Sequence, residues 1–96
     1  MRFEWDCEKD QVNQSKHGLS FSEAKELFLG EADYLEVFDE THSIDEDRFI
    51  AIGVITKGVI VVVWVECEED VVRIISARIA TDQERQRYRQ FMEKQQ

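Results

Sequence analysis

Two side chains of this sequence are candidates for carrying protons in a reaction, His17 and Glu66. Four cations stand where they could hold negative charge: Lys16, Arg48, Arg73 and Arg78. Histidine is the residue type that exchanges a proton near neutrality, whereas a glutamate does so only when burial or acidic neighbours raise it. A base set among cations is the equipment for moving a proton beside a centre that gathers negative charge. A second reading is open for Lys16-His17, because they end a predicted helix, where cations complement the negative end of its dipole. The two cysteines, Cys7 and Cys67, form no CxxC and lie near no histidine at ligand spacing, so neither a disulfide scaffold nor a zinc site is expected. Cys67 is flanked by Glu66, Glu68 and Glu69, which would raise a thiol and make it a poor nucleophile.

These residues must be positioned by elements that the pattern makes legible. Residues 2–5 alternate and read as a strand. Asp6 is a good N-cap for a helix over 7–17, and Gly18 suits the left-handed residue that ends it. Lys9, Asn13 and Lys16, at i, i+4 and i+7, form one polar row on that helix. Ser20 and Glu23 make a capping box for a second helix that runs to Gly30, with Phe21, Ala24, Leu27 and Phe28 on its apolar face.

Strands follow over 34–38, at a sheet edge, then 48–56, 59–66 and 71–79, with Lys57-Gly58 as the hairpin turn. The run Val59 to Val65 is the most apolar and should be central. Thr81 and Glu84 make a second capping box opening a helix to about Glu93, with Tyr88, Phe91 and Met92 on one stripe. The order predicts a single α+β domain over 1–96, with a mainly antiparallel sheet, two N-terminal helices and one C-terminal helix. Phe21, Leu27, Phe28, Ile52, Val61, Val63, Ile75 and Phe91 are expected in its core.

The last hairpin can be drawn on paper. If Glu66 faces Val71, then Trp64 faces Arg73 and Val59 faces Arg78. Glu66 and Arg73 become diagonal neighbours on one face, and Arg78 falls on the other unless a bulge intervenes. Arg73 is then open to two readings, an ion pair with Glu66 or Glu68, or a substrate contact. Arg85 is equally a helix-surface arginine or a ligand contact. Tyr88 sits at core spacing with its hydroxyl left to point outward.

The net charge is −9, which argues against a polyanion partner until its distribution is read. Residues 1–72 carry six basic and eighteen acidic side chains, whereas residues 73–96 carry six basic and three acidic. Between Glu31 and Asp47 there are eight acids and no Lys or Arg. The acidic stretch suits a basic partner, and the C-terminal quarter suits an anionic one. No apolar run approaches the roughly 20 residues that span a bilayer, and no basic, apolar leader opens the chain, so no membrane contact and a cytoplasmic location are expected.

Two dense blocks carry a resemblance. The first is Phe3-x-Trp5-Asp6, Lys9, Asn13, then Lys16-His17-Gly18-x-Ser20-Phe21-x-Glu23-Ala24. The second is Arg73-Ile74-Ile75-Ser76-Ala77-Arg78, with Ala80, Glu84, Arg85 and Tyr88 behind it. Together they resemble the BrnT family, bacterial ribonuclease toxins of type II toxin–antitoxin pairs. The resemblance implies a RelE-like fold and RNA cleavage through the ribose 2′-hydroxyl, with no metal or other cofactor. It also implies a ribbon-helix-helix antitoxin (BrnA-like) through which alone the chain meets DNA, and association of toxins with each other, down to a homodimer. The expected catalytic residues are then His17, Glu66 and Arg78, with Lys16, Arg48, Arg73, Arg85 and Tyr88 on the substrate; Glu66 and Arg48 lie outside the two blocks and enter by their chemistry alone. The chain departs from the pattern at Val65 and Cys67, where relatives commonly carry threonine and arginine. Two readings follow: an endoribonuclease, or a binding module of the same fold that has lost catalysis and keeps antitoxin binding and promoter repression.

Overall fold

A computed structural model describes the chain apart from residues 44, 45, 69, 95 and 96 and the side chain of His42. Its elements are β1 (Arg2–Glu4), α1 (Cys7–His17), α2 (Phe21–Ala24), α3 (Glu26–Leu29), β2 (Leu35–Phe38), a 3-10 turn (Glu40–His42), β3 (Arg48–Ile55), β4 (Gly58–Glu66), β5 (Val71–Ile79) and α4 (Asp82–Lys94). The five strands form one sheet in the order β1-β5-β4-β3-β2, so the apolar β4 is central and β2 is an edge, as the pattern predicts. The sheet is mixed. Three pairings are antiparallel, but β1 lies parallel to β5. A strand joined by helices to the rest of the chain need not return in hairpin fashion, and the sequence carries no mark of that direction.

The helix ends follow local chemistry. Asp6 Oδ1 accepts the amides of Glu8 and Lys9, and Gly18 closes α1 at φ +66°. The Ser20–Glu23 capping box forms, but the expected second helix breaks at Lys25 into α2 and α3. The hairpin turn is Thr56-Lys57, one residue earlier than expected, because Ile55 pairs with Gly58. Glu26 accepts both the amide and the hydroxyl of Thr56, while Lys57 pairs with Glu23 at 2.6 Å and donates to the Gly18 carbonyl. Both turn residues are thus tied to the segment that carries the two short helices.

The sheet is covered on both faces. On one side Leu19, Phe21, Ala24 and Leu27 pack against Ala51, Ile55, Ile60, Val62, Trp64, Ile74 and Ala77. Gly53 lets that layer come close, since a Cβ there would stand 2.9 Å from Tyr34 Cβ. Ring contacts run from Phe3 through Phe28 to Trp64 and on to Phe49 and Phe38. On the other side α4 covers Ile52, Val61 and Ala80 with Tyr88, flanked by Phe91 and Met92. Phe21, Leu27, Ile52 and Val61 are buried as expected, but Phe28, Val63, Ile75 and Phe91 are only half-buried. The core instead includes Leu19, Ile60, Val62, Trp64 and Ile74.

The exchange of Ile74 for Ile75 has one cause, a register shift in the β4–β5 ladder. Trp64 pairs with Ile74 and Val63 with Ser76, so Ile75 is an extra residue on β5. The paper register therefore fails twice: Glu66 faces Val72 rather than Val71, and Arg78 faces Val61 rather than Val59. Parity changes across the bulge, which puts Arg73 and Arg78 on the same face as α4 and turns Glu66 to the other.

Two polar devices hold this arrangement. The buried Asn13 donates through Nδ2 to the carbonyls of Leu19 and Ala77, both at 2.8 Å, and its Oδ1 accepts the Ala77 amide at 3.2 Å. Ala77 lies on the edge of β5 beyond the last residue that β1 pairs, so the side chain completes a ladder that β1 abandons. At the other end Glu84 serves two partners. It caps α4 with Thr81 and clamps the Arg78 guanidinium at 2.7 and 2.8 Å. That clamp, more than the caps, holds the Glu84 carboxyl down at about 2.

Asn13→Ala leaves three backbone groups without partners and should cost about 3 kcal/mol in urea unfolding. The Glu84 carboxyl is lowered in the fold, so its contribution is complete above its ordinary value of 4.5 and is lost as pH falls towards 2. Glu84→Gln should therefore be less stable than the parent by about 1–2 kcal/mol at neutral pH, because Arg78 is partly open to solvent. The difference should shrink steadily between those two pH values.

Candidate active site

The bulge opens a cavity of about 430 Å³ between α1 and β5. Glu8, Lys9, Val12, Asn13, Lys16 and His17 line it from the helix, Asp6 from the helix cap, and Ile75 and Ser76 from the bulged strand. Residues nearly sixty positions apart in the chain thus share one wall, and they come from the two sequence blocks that stood out at the start. The polar row Lys9, Asn13, Lys16 divides its work. Asn13 faces in and is consumed by the backbone, and the two lysines stay exposed at the rim. Among the described residues, Lys9, Lys16 and His17 make no ion pair and no side-chain hydrogen bond.

Of the other cations singled out in the sequence, Arg73, Arg78 and Arg85 are engaged by acids. Arg73 pairs with Glu4 of β1 at 2.9 Å, not with Glu66 or Glu68, because the parallel strand sets Glu4 directly beside it. Arg78 is held by Glu84. Arg85 pairs with Asp82 and donates to the Ala80 carbonyl. Tyr88 is buried and its hydroxyl donates to the Asp33 carbonyl at 3.2 Å, so it does not point outward. Arg48 lies opposite Val65 at the far end of β3 and β4, with its buried Nε lacking a partner among the described residues. Glu66 is exposed at the end of β4. The fold therefore gathers Lys16 and His17, places Arg73 at a neighbouring cavity, and keeps Arg48, Glu66, Arg78, Arg85 and Tyr88 apart from that wall.

The neighbouring cavity, of about 360 Å³, is lined by Glu4, Trp5, Asp6, Lys9 and Arg73. It meets the first at Asp6 and Lys9, so the two form one groove along the edge of β5. A smaller recess beside it holds Cys67 with Arg73 and Glu4. The Cys67 thiol is pushed up chiefly by burial, then by Glu4 and Glu46, while Arg73 works the other way. The acids adjacent in sequence are not the cause expected of them. Lys9, Trp5 and Ser76 were not assigned to the site from sequence, although Lys9 stood in the polar row and the other two within the blocks. Only the bulge makes Ser76 a wall residue.

No metal-ligating group of three or more His, Cys, Asp or Glu side chains occurs among the described residues. No helix among them is long and apolar enough to cross a membrane. A search among curated proteins finds no match. Among solved structures, the ribonuclease toxin BrnT of Brucella abortus is similar, at 26% identity and a TM-score of 0.63, covering 85% of this chain and 99% of that one. The sequence profile described as "Ribonuclease toxin, BrnT, of type II toxin-antitoxin system" matches residues 5–84, a span that includes the α1 wall, the bulge and Glu84. With the shared fold and a profile match over most of its length, this chain belongs to the BrnT family of ribonuclease toxins from type II toxin–antitoxin systems.

Proposed function

We propose that this chain is an endoribonuclease that cleaves RNA without a metal and is held inactive by a basic ribbon-helix-helix antitoxin. The observation that carries the reading is the set of unpaired cations, Lys9 and Lys16, beside His17 in a cavity built from both family blocks. His17 takes the proton of the ribose 2′-hydroxyl as its oxygen bonds to phosphorus. The bond to the 5′ oxygen then breaks, that oxygen takes a proton from water, and a 2′,3′-cyclic phosphate remains. Lys16 and Lys9 neutralise the charge on the phosphoryl oxygens. In this reading Arg78 supports the site indirectly, by tying α4 to the strand that forms one wall.

One observation favours the alternative, a binding module without catalysis. Arg78 is clamped by Glu84, and Cys67 stands where relatives carry arginine, so the substrate meets fewer available cations. In either case the type II family implies an antitoxin partner. The sequence between Glu31 and Asp47, which contains the edge strand β2, carries eight acids and suits a basic one. Self-association of the toxin belongs to the same reading.

The decisive measurement is RNA cleavage by antitoxin-free protein in excess chelator. His17→Ala should lower the rate by a factor of 100 or more, and Lys16→Ala by about tenfold or more. Cys67→Arg should raise it. If cleavage is undetectable in the parent and in Cys67→Arg alike, the binding module replaces the enzyme. Association with the cognate antitoxin should slow markedly between low and high ionic strength, and a salt-independent rate would remove the electrostatic part of the partner reading.

A further inference from the structure

We propose that the cavity beside Trp5 is a nucleobase subsite. It would take an amino-bearing base of single-stranded RNA next to the phosphate held at Lys16 and His17. The inference rests on the RNA-cleavage reading and adds to it where the substrate's base lies.

The two halves of the groove differ in what they offer a substrate. The first cavity holds Lys9, Lys16 and His17 beside the acids Asp6 and Glu8, and its two lysines, without an ion pair among the described residues, are the contacts for a phosphate. In the second, Arg73 is already neutralised by Glu4, so the lining is nearly balanced and suits an uncharged ring. Trp5 supplies the surface for that ring. It is half-buried, lines the cavity, and is steadied by a T-shaped contact with the fully buried Phe21, 6.2 Å between centroids at 77°. A fixed indole offers stacking at little entropic cost, and bases stack on aromatic side chains whatever their sequence.

Asp6 adds discrimination. Its Oδ1 accepts both helix-capping amides, which leaves Oδ2 without a hydrogen bond among the described residues. A carboxylate oxygen at the rim accepts from an exocyclic amine, as adenine and cytosine present, and repels the carbonyl that uracil presents there. Lys9 belongs to both cavities, so it sits where a phosphate would join a base in one to a ribose in the other. The volume of about 360 Å³ falls within the roughly 300–1,000 Å³ of small-ligand pockets.

The test uses the full chain and two uncleavable probes, hexamers of 2′-O-methyl adenosine and 2′-O-methyl uridine. Trp64 is buried, so the half-exposed Trp5 is the tryptophan whose emission a bound base can quench. The adenosine hexamer should quench the parent saturably and bind at least about threefold tighter than the uridine hexamer. Trp5→Leu should raise KM for RNA cleavage about tenfold with kcat nearly unchanged. Trp5→Phe, which keeps a ring against Phe21, should recover much of that loss. Asp6→Asn keeps the cap but replaces the acceptor with a donor, so it should abolish or reverse the base preference.

Unchanged KM in both Trp5 variants, with no quenching of the parent, overturns the subsite while leaving cleavage intact. Equal affinity for the two hexamers in the parent overturns the amino-base assignment. Saturable, base-selective quenching by a parent that cleaves nothing supports the subsite and removes the enzyme reading, so the two failures are told apart.

Discussion

The arrangement depends on a single side-chain amide. Asn13 meets both backbone groups of Ala77, at a point where β5 has lost its β1 neighbour, and also holds the Leu19 carbonyl. An extended strand edge leaves donors and acceptors that must be satisfied somewhere. Here they are satisfied by a helix residue, which locks α1 at a set height along the strand. Leu19, fully buried, then begins the layer that covers the sheet. The orientation of α1, the entry of the chain into α2 and the position of the cavity wall all follow from that bridge. A helix as polar as α1, with little apolar surface to bury, is held by such bonds, and the Asp10 carboxylate adds a second by accepting the Phe21 amide at 2.8 Å.

The bulge at Ile75 is the second constraint, and it works with the first. One extra residue reverses which side chains face the core, so Ile74 and Ala77 both reach it although they differ in parity. The same insertion presents Ile75 and Ser76 to the cavity. Without it Ala77 would turn over, and α1 could not bond to the strand edge and cover the core in one pose. Arg78, placed on the α4 face, reaches Glu84, which also completes the capping box of α4 with Thr81. The bulge therefore has two consequences: it helps to form the groove along the edge of β5, and it anchors the last helix through Arg78.

Charge in the folded chain is arranged by pairing more than by content. The arginines of the basic C-terminal quarter look available in sequence, but Arg73, Arg78 and Arg85 are each engaged by an acid. The lysines of α1, lying in the acidic part of the chain, have no ion pair among the described residues and stand beside His17. A bidentate guanidinium–carboxylate clamp such as Arg78 with Glu84 is a good structural device and a poor anion site. The groove lining sets Glu4, Asp6 and Glu8 against Lys9, Lys16 and Arg73, a balance that the net charge of −9 does not show.

The sequence alone determined what depends on near neighbours. Asp6, Gly18, the Ser20–Glu23 box and the Thr81–Glu84 box set helix ends through bonds within a few residues, and alternation set the strands and the central place of β4. The two motif blocks also pointed to the family. What only the tertiary structure decided depends on pairing across distance: the parallel course of β1, the extra residue at Ile75, and the acids that Arg73 and Arg78 meet. Local propensity is indifferent to whether a strand returns parallel or slips by one, since both satisfy the same backbone groups. The outcome is set by how α1 and its neighbours fill the space over the sheet. Glu4 beside Arg73, Glu84 beside Arg78, and Lys9 and Ser76 lining one cavity are consequences of that packing.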